Sequence, residues 1–543
     1  MMPAALPDLP AEHACFAERL SWLARHGGNR VALIDRDESV AFERLDAEVR
    51  RLAAGLAGLG VAPGHRVAVW LPNCLAWVQV FLACAHLGAM VLAVNTRFRG
   101  QEVSDILGRG KADWLVVWPD FKGIAFDRIL DDVADAALAG LRGVVRIGGE
   151  AGCARMRGLP AHAYEDLLAS TEAAPAPHGN AGVLCFTTSG TTSLPKFVLH
   201  DQHTLLRHGE ALQQAYGYDQ GSRILASAPF CGAFGFATLV GGLATGCTVV
   251  SEAVFEPAGA LAQIRRHGVT HTYANNESIA KVLALADGPQ DFRGVRLFGF
   301  ASFSPAMDDL VERARVCGVP LTGLYGSSEL IALVAAQPVT EEEGDTRVRY
   351  QAGGRLIYPQ ARVRARDPET GRVLPHGEAG EIEILSPSLM RGYLDNAEAT
   401  RRAMSEDGWF RTGDLGRTVS ERQFVFLARM GDSLRLSGFL VNPAEIEQAV
   451  QALPGVRACQ VVGASDGRHV VPYAFVLLDP GAHADPAAWQ AACKRAMAGF
   501  KVPVGFTVLD AFPSVESANA VKIQKNKLRE MAEAILARAL AQG

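Results

Sequence analysis

The sequence lacks the cysteine patterns that would indicate a metal site or a disulfide framework. Its ten cysteines are scattered over 543 residues, with no C-x-x-C pair and no histidine–cysteine cluster at zinc spacing. We therefore expect the buried, reduced thiols of a cytoplasmic protein. The formal net charge is only −5 and no basic stripe is present, so nucleic acid is not an expected partner.

Long, uninterrupted apolar runs are also missing. The N-terminal residues include prolines and acids where a secretory signal would need basic and then apolar residues. Residues 75–94 approach the length of a membrane span, but Gln79 and His86 interrupt them, and glycine and proline divide residues 224–250. Each stretch is better explained as a buried helix followed by a buried strand, so no integral membrane protein is expected.

The chain does contain enough apolar sequence for several cores, because 49% of its residues are hydrophobic and one core rarely exceeds about 250–300 residues. Short apolar runs alternate with helical patterns over most of the chain, which predicts an α/β fold with two layered sheets of parallel strands. A period of two then indicates a small barrel-like subdomain at about 345–430. We expect an N-terminal domain at 1–430 and a smaller α+β domain at 431–543.

The stretch from residue 186 to 200 reads F-T-T-S-G-T-T-S-L-P-K-F-V-L-H and lies between two apolar, strand-like runs. Its hydroxyls, glycine backbone and single ammonium are suited to wrapping a polyphosphate. Lys196 follows Pro195 and leads into a strand, whereas the common P-loop leads into a helix. The loop alone leaves two interpretations open, a phosphate loop and a surface Ser/Thr turn.

Four further motifs follow this loop. They are Tyr325-Gly326-Ser327-Ser328-Glu329, the run W-F-R-T-G-D-L-G at 409–416, the run from Arg429 to residue 447, and V-K-I-Q-K at 521–525. Each alone indicates little, but chance does not readily give five in this order. With them, and with Gly392-Tyr393 and Glu398-Ala399-Thr400, nearly the whole chain resembles the adenylate-forming superfamily of acyl-CoA synthetases, luciferases and peptide-synthetase adenylation domains.

This resemblance implies a large N-terminal domain, a mobile C-terminal domain and two half-reactions. A carboxylate attacks the α-phosphate of ATP, giving an acyl-adenylate and pyrophosphate. The C-terminal domain then rotates, and a thiol takes the acyl group. The positions implied to contact ATP, Mg²⁺ or coenzyme A are Thr188, Ser189, Gly190, Thr191, Thr192, Lys196, Ser302, Tyr325, Gly326, Ser327, Ser328, Glu329, Asp414, Arg429, Gly438 and Lys522.

The resemblance also implies roles for the phosphate-binding residues. The loop hydroxyls and the Gly190 backbone would hold the β- and γ-phosphates, and Lys196 would add a point charge. Glu329, with Thr188, would bind Mg²⁺, which takes oxygen ligands and bridges phosphates. The residues expected to take part in catalysis are Lys522, Glu329, Lys196 and Thr188.

The remaining implied roles concern the nucleoside and the thiol. Tyr325 would stack on adenine, and Asp414 would accept from both ribose hydroxyls. Arg429 would lie beside the ribose and phosphate. Lys522 would donate to the carboxylate and the α-phosphate, where negative charge gathers. Gly438 would let the pantetheine arm pass close to the backbone.

The chain departs from the family pattern at four positions. Ser193 and Phe197 replace glycines of the phosphate loop, although Phe197 is compatible with a strand. The hinge position, usually Asp or Lys, falls on Gly431, which would make rotation easy but less defined. Val521 replaces the glycine expected before Lys522.

The resemblance places an acyl pocket near Phe230, Gly232, Phe234, Asn275, Asn276, Gly299 and Ala301. The small residue Gly232 would leave room where many relatives carry a bulky side chain. Two interpretations of Asn275-Asn276-Glu277 remain open, a pocket that hydrogen-bonds a polar or aromatic acid and a helix N-terminus with an Asn cap. Phe234 is not followed by the Asp of amino-acid-activating relatives, which disfavours that activity.

Three hypotheses for the function follow. The first is an AMP-forming acyl- or aryl-CoA ligase that uses a small carboxylic acid, ATP, Mg²⁺ and coenzyme A, as a monomer or homodimer. The second delivers the acyl group to the phosphopantetheine of an acyl carrier protein. The third is a non-catalytic nucleotide-binding relative, prompted by Ser193, Gly431 and Val521. The joint presence of Lys196, Glu329, Asp414, Arg429 and Lys522 disfavours it.

Overall fold

The computed structural model describes residues 13–148, 154–188, 195–301, 308–337, 351–430, 434–436, 439–441, 443–466, 470–497, 499–516 and 521–542. Within these ranges the chain forms two compact units. Of the described residues, the first contains those up to 301, those from 308 to 361 and 385–408, and the second contains 362–384 and those from 409 onward. The boundary predicted at residue 431 stays a prediction.

The strands are β1 Val31–Asp35, β2 Glu38–Ala41, β3 Arg66–Trp70, β4 Met90–Ala93, β5 Trp114–Val117, β6 Gly143–Arg146, β7 Arg155–Met156, β8 Leu159–Ala163, β9 Gly182–Thr187, β10 Phe197–Asp201, β11 Arg223–Ala226, β12 Thr248–Ser251, β13 His271–Asn275, β14 Leu297–Ala301, β15 Leu321–Tyr325, β16 Ala335–Ala336, β17 Gly353–Leu356, β18 Arg362–Arg366, β19 Ala379–Leu385, β20 Gly392–Tyr393, β21 Phe410–Ser420, β22 Gln423–Arg429, β23 Leu434–Leu436, β24 Phe439–Val441, β25 Val456–Ser465, β26 Val470–Leu478, β27 Phe506–Val508, β28 Ser514–Glu516 and β29 Val521–Ile523.

The α-helices are α1 Phe16–Gly27, α2 Phe42–Gly58, α3 Leu75–Leu87, α4 Gly100–Arg109, α5 Phe126–Asp131, α6 Asp135–Leu138, α7 Tyr164–Leu168, α8 Gln202–Tyr216, α9 Ala233–Thr245, α10 Pro257–His267, α11 Asn276–Ala284, α12 Asp308–Val316, α13 Ala397–Arg402, α14 Pro443–Gln451, α15 Pro486–Ala496 and α16 Lys525–Gln542. None of these helices is both long and apolar enough to cross a membrane.

The first unit is built on two sheets, as the alternation of apolar runs predicted. In one sheet the order is β17-β16-β15-β14-β13-β11-β12-β1-β2, with parallel pairing from β15 to β1. In the other the order is β20-β10-β9-β4-β3-β5-β6-β8-β7, with parallel pairing from β9 to β8. In parallel sheets the carboxyl ends of the strands share one edge, and ligands bind there.

Helix α3 accounts for the first of the two long apolar stretches. Its residues from Ala76 to Leu87 are all buried, so the helix is covered on every side within the protein. The ring centre of Phe81 lies 5.0 Å from that of Phe236 in α9, which in turn lies 5.7 Å from that of Phe186 in β9. This aromatic cluster connects α3 to β9 through α9.

The second unit shows the change to antiparallel structure that the sequence predicted. Strands β18, β19, β21 and β22 lie side by side in that order, and β21 pairs antiparallel with both neighbours. Further along, β25 and β26 form a long antiparallel pair, and β27 joins β26 in parallel. Helices α14 and α15 contribute Ile446, Val450 and Trp489 to the core over these strands. The predicted α/β fold with a smaller C-terminal α+β portion is therefore confirmed.

The cysteines in the described ranges are free and buried, as the scattered pattern predicted. Burial raises the pKa of the thiols of Cys74 and Cys84 to about 12, so both stay protonated at neutral pH. These cysteines act as small apolar core residues.

We predict opposite effects for two glycines of α2. A Cβ on Gly55 would lie 2.6 Å from the carbonyl oxygen of Leu167 in α7, whereas a Cβ on Gly58 would meet nothing within 4 Å. We expect Gly55→Ala to lower the free energy of unfolding by about 1–3 kcal/mol. We expect Gly58→Ala to leave it unchanged or raise it by up to about 1 kcal/mol, because alanine favours helix. Urea unfolding measures both, and equal effects would contradict the close α2–α7 contact.

Candidate active site

The two ends of the hydroxyl-rich loop are joined directly to each other. The N–H of Thr188 donates to the carbonyl of Lys196 at 3.0 Å. The N–H of Lys196 donates back to Oγ1 of Thr188 at 3.2 Å. These bonds extend the antiparallel pairing of β9 with β10, so the loop leaves one strand and enters another, as predicted. Ser189, Gly190, Thr191, Thr192 and Ser193 lie outside the described residues.

Strand β20 brings a third segment to this place. It pairs antiparallel with β10, and Tyr393 stands opposite Val198. Side chains alternate along a strand, so Lys196 and Val198 share a face. The Nζ atom of Lys196 lies 4.7 Å from the centre of the Tyr393 ring. The hydroxyl of Tyr393 donates to Oε1 of Glu329 at 2.8 Å. The predicted phosphate lysine and the predicted metal ligand are thus linked through one tyrosine.

Glu329 lies in a short 3₁₀ turn, Ser328–Leu330, just beyond the carboxyl end of β15. Tyr325 is the last residue of that strand and is buried. A Cβ on Gly326 would come within 2.4 Å of the Cα of Ala332, so only glycine fits where the chain folds back. The motif therefore contains the predicted aromatic residue, tight turn and carboxylate at Tyr325, Gly326 and Glu329.

The backbone after Glu329 is unusual. Ile331, Ala332 and Leu333 have φ angles of 64°, 56° and 45°, three consecutive left-handed residues without a glycine. Such a conformation is disfavoured, most of all for a β-branched residue, and persists only where its surroundings hold it. We call residues 328–333 the Glu329 strap.

Three donors from elsewhere in the first unit hold this strap through its carbonyl groups. Nε2 of His200 lies 2.8 Å from the carbonyl oxygen of Ser328. The N–H of Met390 donates to the carbonyl of Glu329 at 2.8 Å, and the hydroxyl of Tyr216 donates to the carbonyl of Leu333 at 2.9 Å. The strap is therefore fixed at its start, at Glu329 itself and at its end.

His200 is fully buried, and burial lowers its pKa to about 4. The ring is therefore neutral at physiological pH. Because Nε2 faces a carbonyl oxygen, Nε2 must carry the proton in that neutral ring. His200 was not among the predicted site residues, although it is the last residue of the loop sequence 186–200. Nothing in the local sequence indicates its hydrogen-bond partner, which lies 128 residues away.

The predicted pocket residues lie near the carboxyl ends of neighbouring parallel strands. Asn275 ends β13 and pairs in register with Ala301, the end of β14. Gly299 lies between Tyr273 and Leu324, whose side-chain atoms are 2.7 Å and 2.5 Å from the place of its missing Cβ. The structure thus brings these three positions to one edge of the sheet.

Asn275 is a helix cap, one of the two interpretations left open by the sequence. Its Oδ1 accepts the N–H of Ser278 at 2.7 Å, and α11 begins at the next residue, Asn276. Asn276 is buried at that helix start. Phe230 is buried, Gly232 directly precedes α9, and Phe234 is its second residue. Ser302 lies outside the described residues.

The other predicted residues lie in the second unit. Asp414 of β21 and Arg429 of β22 are partners in register, and their side chains form an ion pair at 3.0 Å. The carboxylate is buried, while the guanidinium is more than half exposed. Lys522 is the middle residue of β29 and pairs with Val515. Gly438 and Gly431 lie outside the described residues.

The donors in the first unit suit a hard cation together with a polyphosphate. Glu329 and Thr188 offer a carboxylate and a hydroxyl, the oxygen ligands that Mg²⁺ takes. No group of three His, Cys, Asp or Glu side chains able to hold a metal ion occurs in the described ranges. At phosphate-transfer sites Mg²⁺ is usually held by one or two carboxylates together with phosphate oxygens.

Comparison with known proteins shows the family of this chain. The model of AMP-binding enzymes matches residues 20–394, and that of their C-terminal domain matches residues 445–519. A 3-[(3aS,4S,7aS)-7a-methyl-1,5-dioxo-octahydro-1H-inden-4-yl]propanoyl:CoA ligase of Rhodococcus jostii is 31% identical over 522 residues, covering 93% of this chain and 96% of the relative.

Solved structures show the same fold. The O-succinylbenzoate coenzyme A synthetase of Bacillus subtilis, solved with ATP and magnesium ion, matches with a TM-score of 0.76 and 25% identity, over 94% of this chain and 98% of that one. An anthranilate CoA ligase in complex with anthranoyl-AMP matches with a TM-score of 0.80 and 24% identity, over 98% and 99% of the two chains.

We predict that burial of His200 makes the fold sensitive to acid. Its pKa of about 4 in the folded state is below the ordinary 6.5, so the unfolded state binds the proton more readily between these values. The contribution of the buried, neutral His200 ring to the free energy of unfolding is present above pH 6.5 and is lost as the pH falls towards 4. At pH 5 the loss from this residue is about 2 kcal/mol.

Urea unfolding at pH 7.5 and pH 5.0 checks this prediction. His200→Gln cannot titrate and should show a smaller loss of stability on acidification than the parent protein. The exposed His203→Gln is the matched control and should keep the parent's pH dependence. An identical pH dependence for all three proteins would contradict the prediction.

Proposed function

We propose that this chain activates a ring-bearing carboxylic acid. The chain belongs to the AMP-binding enzyme family and is an AMP-forming carboxylate–CoA ligase. The carboxylate oxygen would attack the α-phosphorus of ATP, breaking the bond to the β-phosphate and releasing pyrophosphate. The sulfur of coenzyme A would then attack the acyl carbon, and AMP would leave. The observation that carries the ATP-dependent half of this proposal is the linked set of Thr188, Lys196, Tyr393 and Glu329.

In this proposal, Thr188 and Lys196 hold the β- and γ-phosphates together with Ser189, Gly190, Thr191 and Thr192. Mg²⁺ would be held by Glu329 and the Thr188 hydroxyl, and when bound it neutralises charge on the phosphates. The hydrogen bonds that close the loop support the role of Thr188. The restrained strap supports the role of Glu329, because a fixed carboxylate costs less to order when the ligand binds.

The proposal also assigns residues to the nucleoside and to the thiol. Residues assigned to the adenosine are Ser302, Tyr325, Gly326, Ser327, Ser328, Asp414 and Arg429. The buried carboxylate of Asp414 is suited to the two ribose hydroxyls. Lys522 would donate to the reacting carboxylate and α-phosphate, and Gly438 would border the pantetheine. A cytoplasmic location and a monomeric or dimeric state stay predictions.

The ring-bearing acid is proposed from the names of the relatives and from the pocket. The Rhodococcus ligase, the O-succinylbenzoate synthetase and the anthranilate ligase are each named for an acid that contains a ring. In this chain Gly232 and Ala301 have small side chains at the predicted pocket. Because these relatives are named as CoA ligases, coenzyme A is favoured over a carrier protein as the acceptor.

A pyrophosphate-release assay across acids tests the substrate class. With ATP, Mg²⁺ and coenzyme A present, we expect kcat/KM for bicyclic and aryl-substituted acids to exceed that for linear acids of equal carbon number by at least about tenfold, or about 1.4 kcal/mol. Higher values for linear acids would contradict the proposal. Turnover with a holo carrier protein but not with coenzyme A would instead support carrier loading.

We predict that Lys522→Ala loses acid-dependent pyrophosphate release while still binding ATP. One preorganised cation at the reacting oxygens is worth about 3–4 kcal/mol, so the rate should fall by about 10²–10³. Lys527→Ala removes an exposed lysine from the neighbouring helix α16 and is the matched control. ATP binding is measured by calorimetry. Unchanged release in Lys522→Ala would remove the role given to Lys522.

A further inference from the structure

Tyr393 belongs to a motif that the proposed function leaves without a role. Its hydroxyl donates to Oε1 of Glu329 at 2.8 Å, and its ring centre lies 4.7 Å from Nζ of Lys196. The face of an aromatic ring attracts a cation that lies within about 6 Å of the ring centre. One side chain therefore contacts both charged groups assigned to ATP and Mg²⁺ in the first unit.

The backbone around Tyr393 is held by the rest of its motif. The N–H of Tyr393 donates to Oγ1 of Thr400 at 2.9 Å, and that hydroxyl donates to the carbonyl of Asn396 at 3.0 Å. Asn396 in turn caps α13, since its Oδ1 accepts the N–H of Ala399 at 2.9 Å. Gly392 has φ 145° and lies close to Thr400, so a side chain there would be strained. The motif residues thus place the tyrosine ring.

The hydrogen bond also orients the carboxylate. A hydroxyl that donates to Oε1 fixes the plane of the Glu329 carboxylate and leaves Oε2 for another partner. A carboxylate oxygen only accepts, so the Tyr393 hydroxyl is the donor in this bond. A carboxylate held in this way needs less reorganisation when a cation binds.

We propose that Tyr393 is a positioning residue that sets the Glu329 carboxylate for Mg²⁺ and the Lys196 ammonium for the phosphates of ATP. This inference rests on the proposed function. The hydroxyl acts on Glu329, and the ring acts on Lys196. The two actions are separable by substitution, because phenylalanine keeps the ring and leucine removes both.

The test compares Tyr393→Phe and Tyr393→Leu in the full-length protein, using acid-dependent exchange of pyrophosphate into ATP. We expect Tyr393→Phe to raise the Mg²⁺ concentration for half-maximal exchange by about tenfold to a hundredfold, as for loss of an outer-sphere partner of a metal ligand. Its KM for ATP at saturating Mg²⁺ should change less than twofold. Tyr393→Leu should raise both quantities, the KM by at least about threefold.

Tyr473→Phe is the matched control, because this buried tyrosine also loses a hydroxyl bond, its contact with Thr507 at 2.9 Å in the second unit. Its Mg²⁺ dependence should equal that of the parent. Thr400→Val releases the Tyr393 backbone without changing the tyrosine. Thr400→Val should raise the Mg²⁺ concentration for half-maximal exchange by a smaller factor than Tyr393→Phe. It is the variant to measure if Tyr393→Phe does not fold.

Glu329→Gln separates failure of this inference from failure of the proposed function. If Glu329→Gln raises the Mg²⁺ requirement and adding Tyr393→Phe changes it no further, the tyrosine acts through Glu329, as proposed. If Glu329→Gln has its effect but Tyr393→Phe and Thr400→Val both match the parent, the positioning role is overturned and the proposed function stands. If Glu329→Gln matches the parent, the metal role of Glu329 itself is wrong.

Discussion

The antiparallel pairing of β20 with β10 is the constraint on which the site in the first unit depends. It sets Tyr393 opposite Val198, two residues beyond Lys196. Lys196, Tyr393 and Glu329 come from three distant parts of the chain, and this pairing brings the first two together. A shift of one residue in register would turn Tyr393 to the other face of the sheet and break both of its contacts.

The Glu329 strap shows how the fold maintains a conformation that its local sequence does not favour. Left-handed residues without glycine cost about 1–3 kcal/mol each. His200 and Tyr216 meet the strap's carbonyls from within the core, and a buried carbonyl left without a partner would itself be costly. The strap is therefore determined by surrounding elements rather than by its own residues. The hydrogen bonds to the carbonyls of the strap fix the backbone that carries Glu329.

The sequence predicted what depends on local periodicity. It predicts a buried helix and then a buried strand within residues 75–94, where α3 and β4 lie. The Asn275 cap is one of the two interpretations that the sequence leaves open. The family, the fold and the enzyme class are confirmed, because five motifs in order carry more information than any one of them. Tyr393 could not be given a role, since its partners depend on a pairing between distant strands. The left-handed strap was equally hidden, because Ile331 is locally unsuited to it.

Phe197 illustrates how a departure from the family pattern can be absorbed. The structure confirms it as a strand residue and shows it buried in the same hydrophobic core as Leu92 and Leu115. Arg109 lies 5.1 Å from its ring centre and also donates to the carbonyl of Pro195 at 2.6 Å. A glycine at position 197 would leave this end of the loop without a side chain in the core. Phenylalanine instead anchors the backbone next to Lys196, because its buried ring holds that end of the loop in the core.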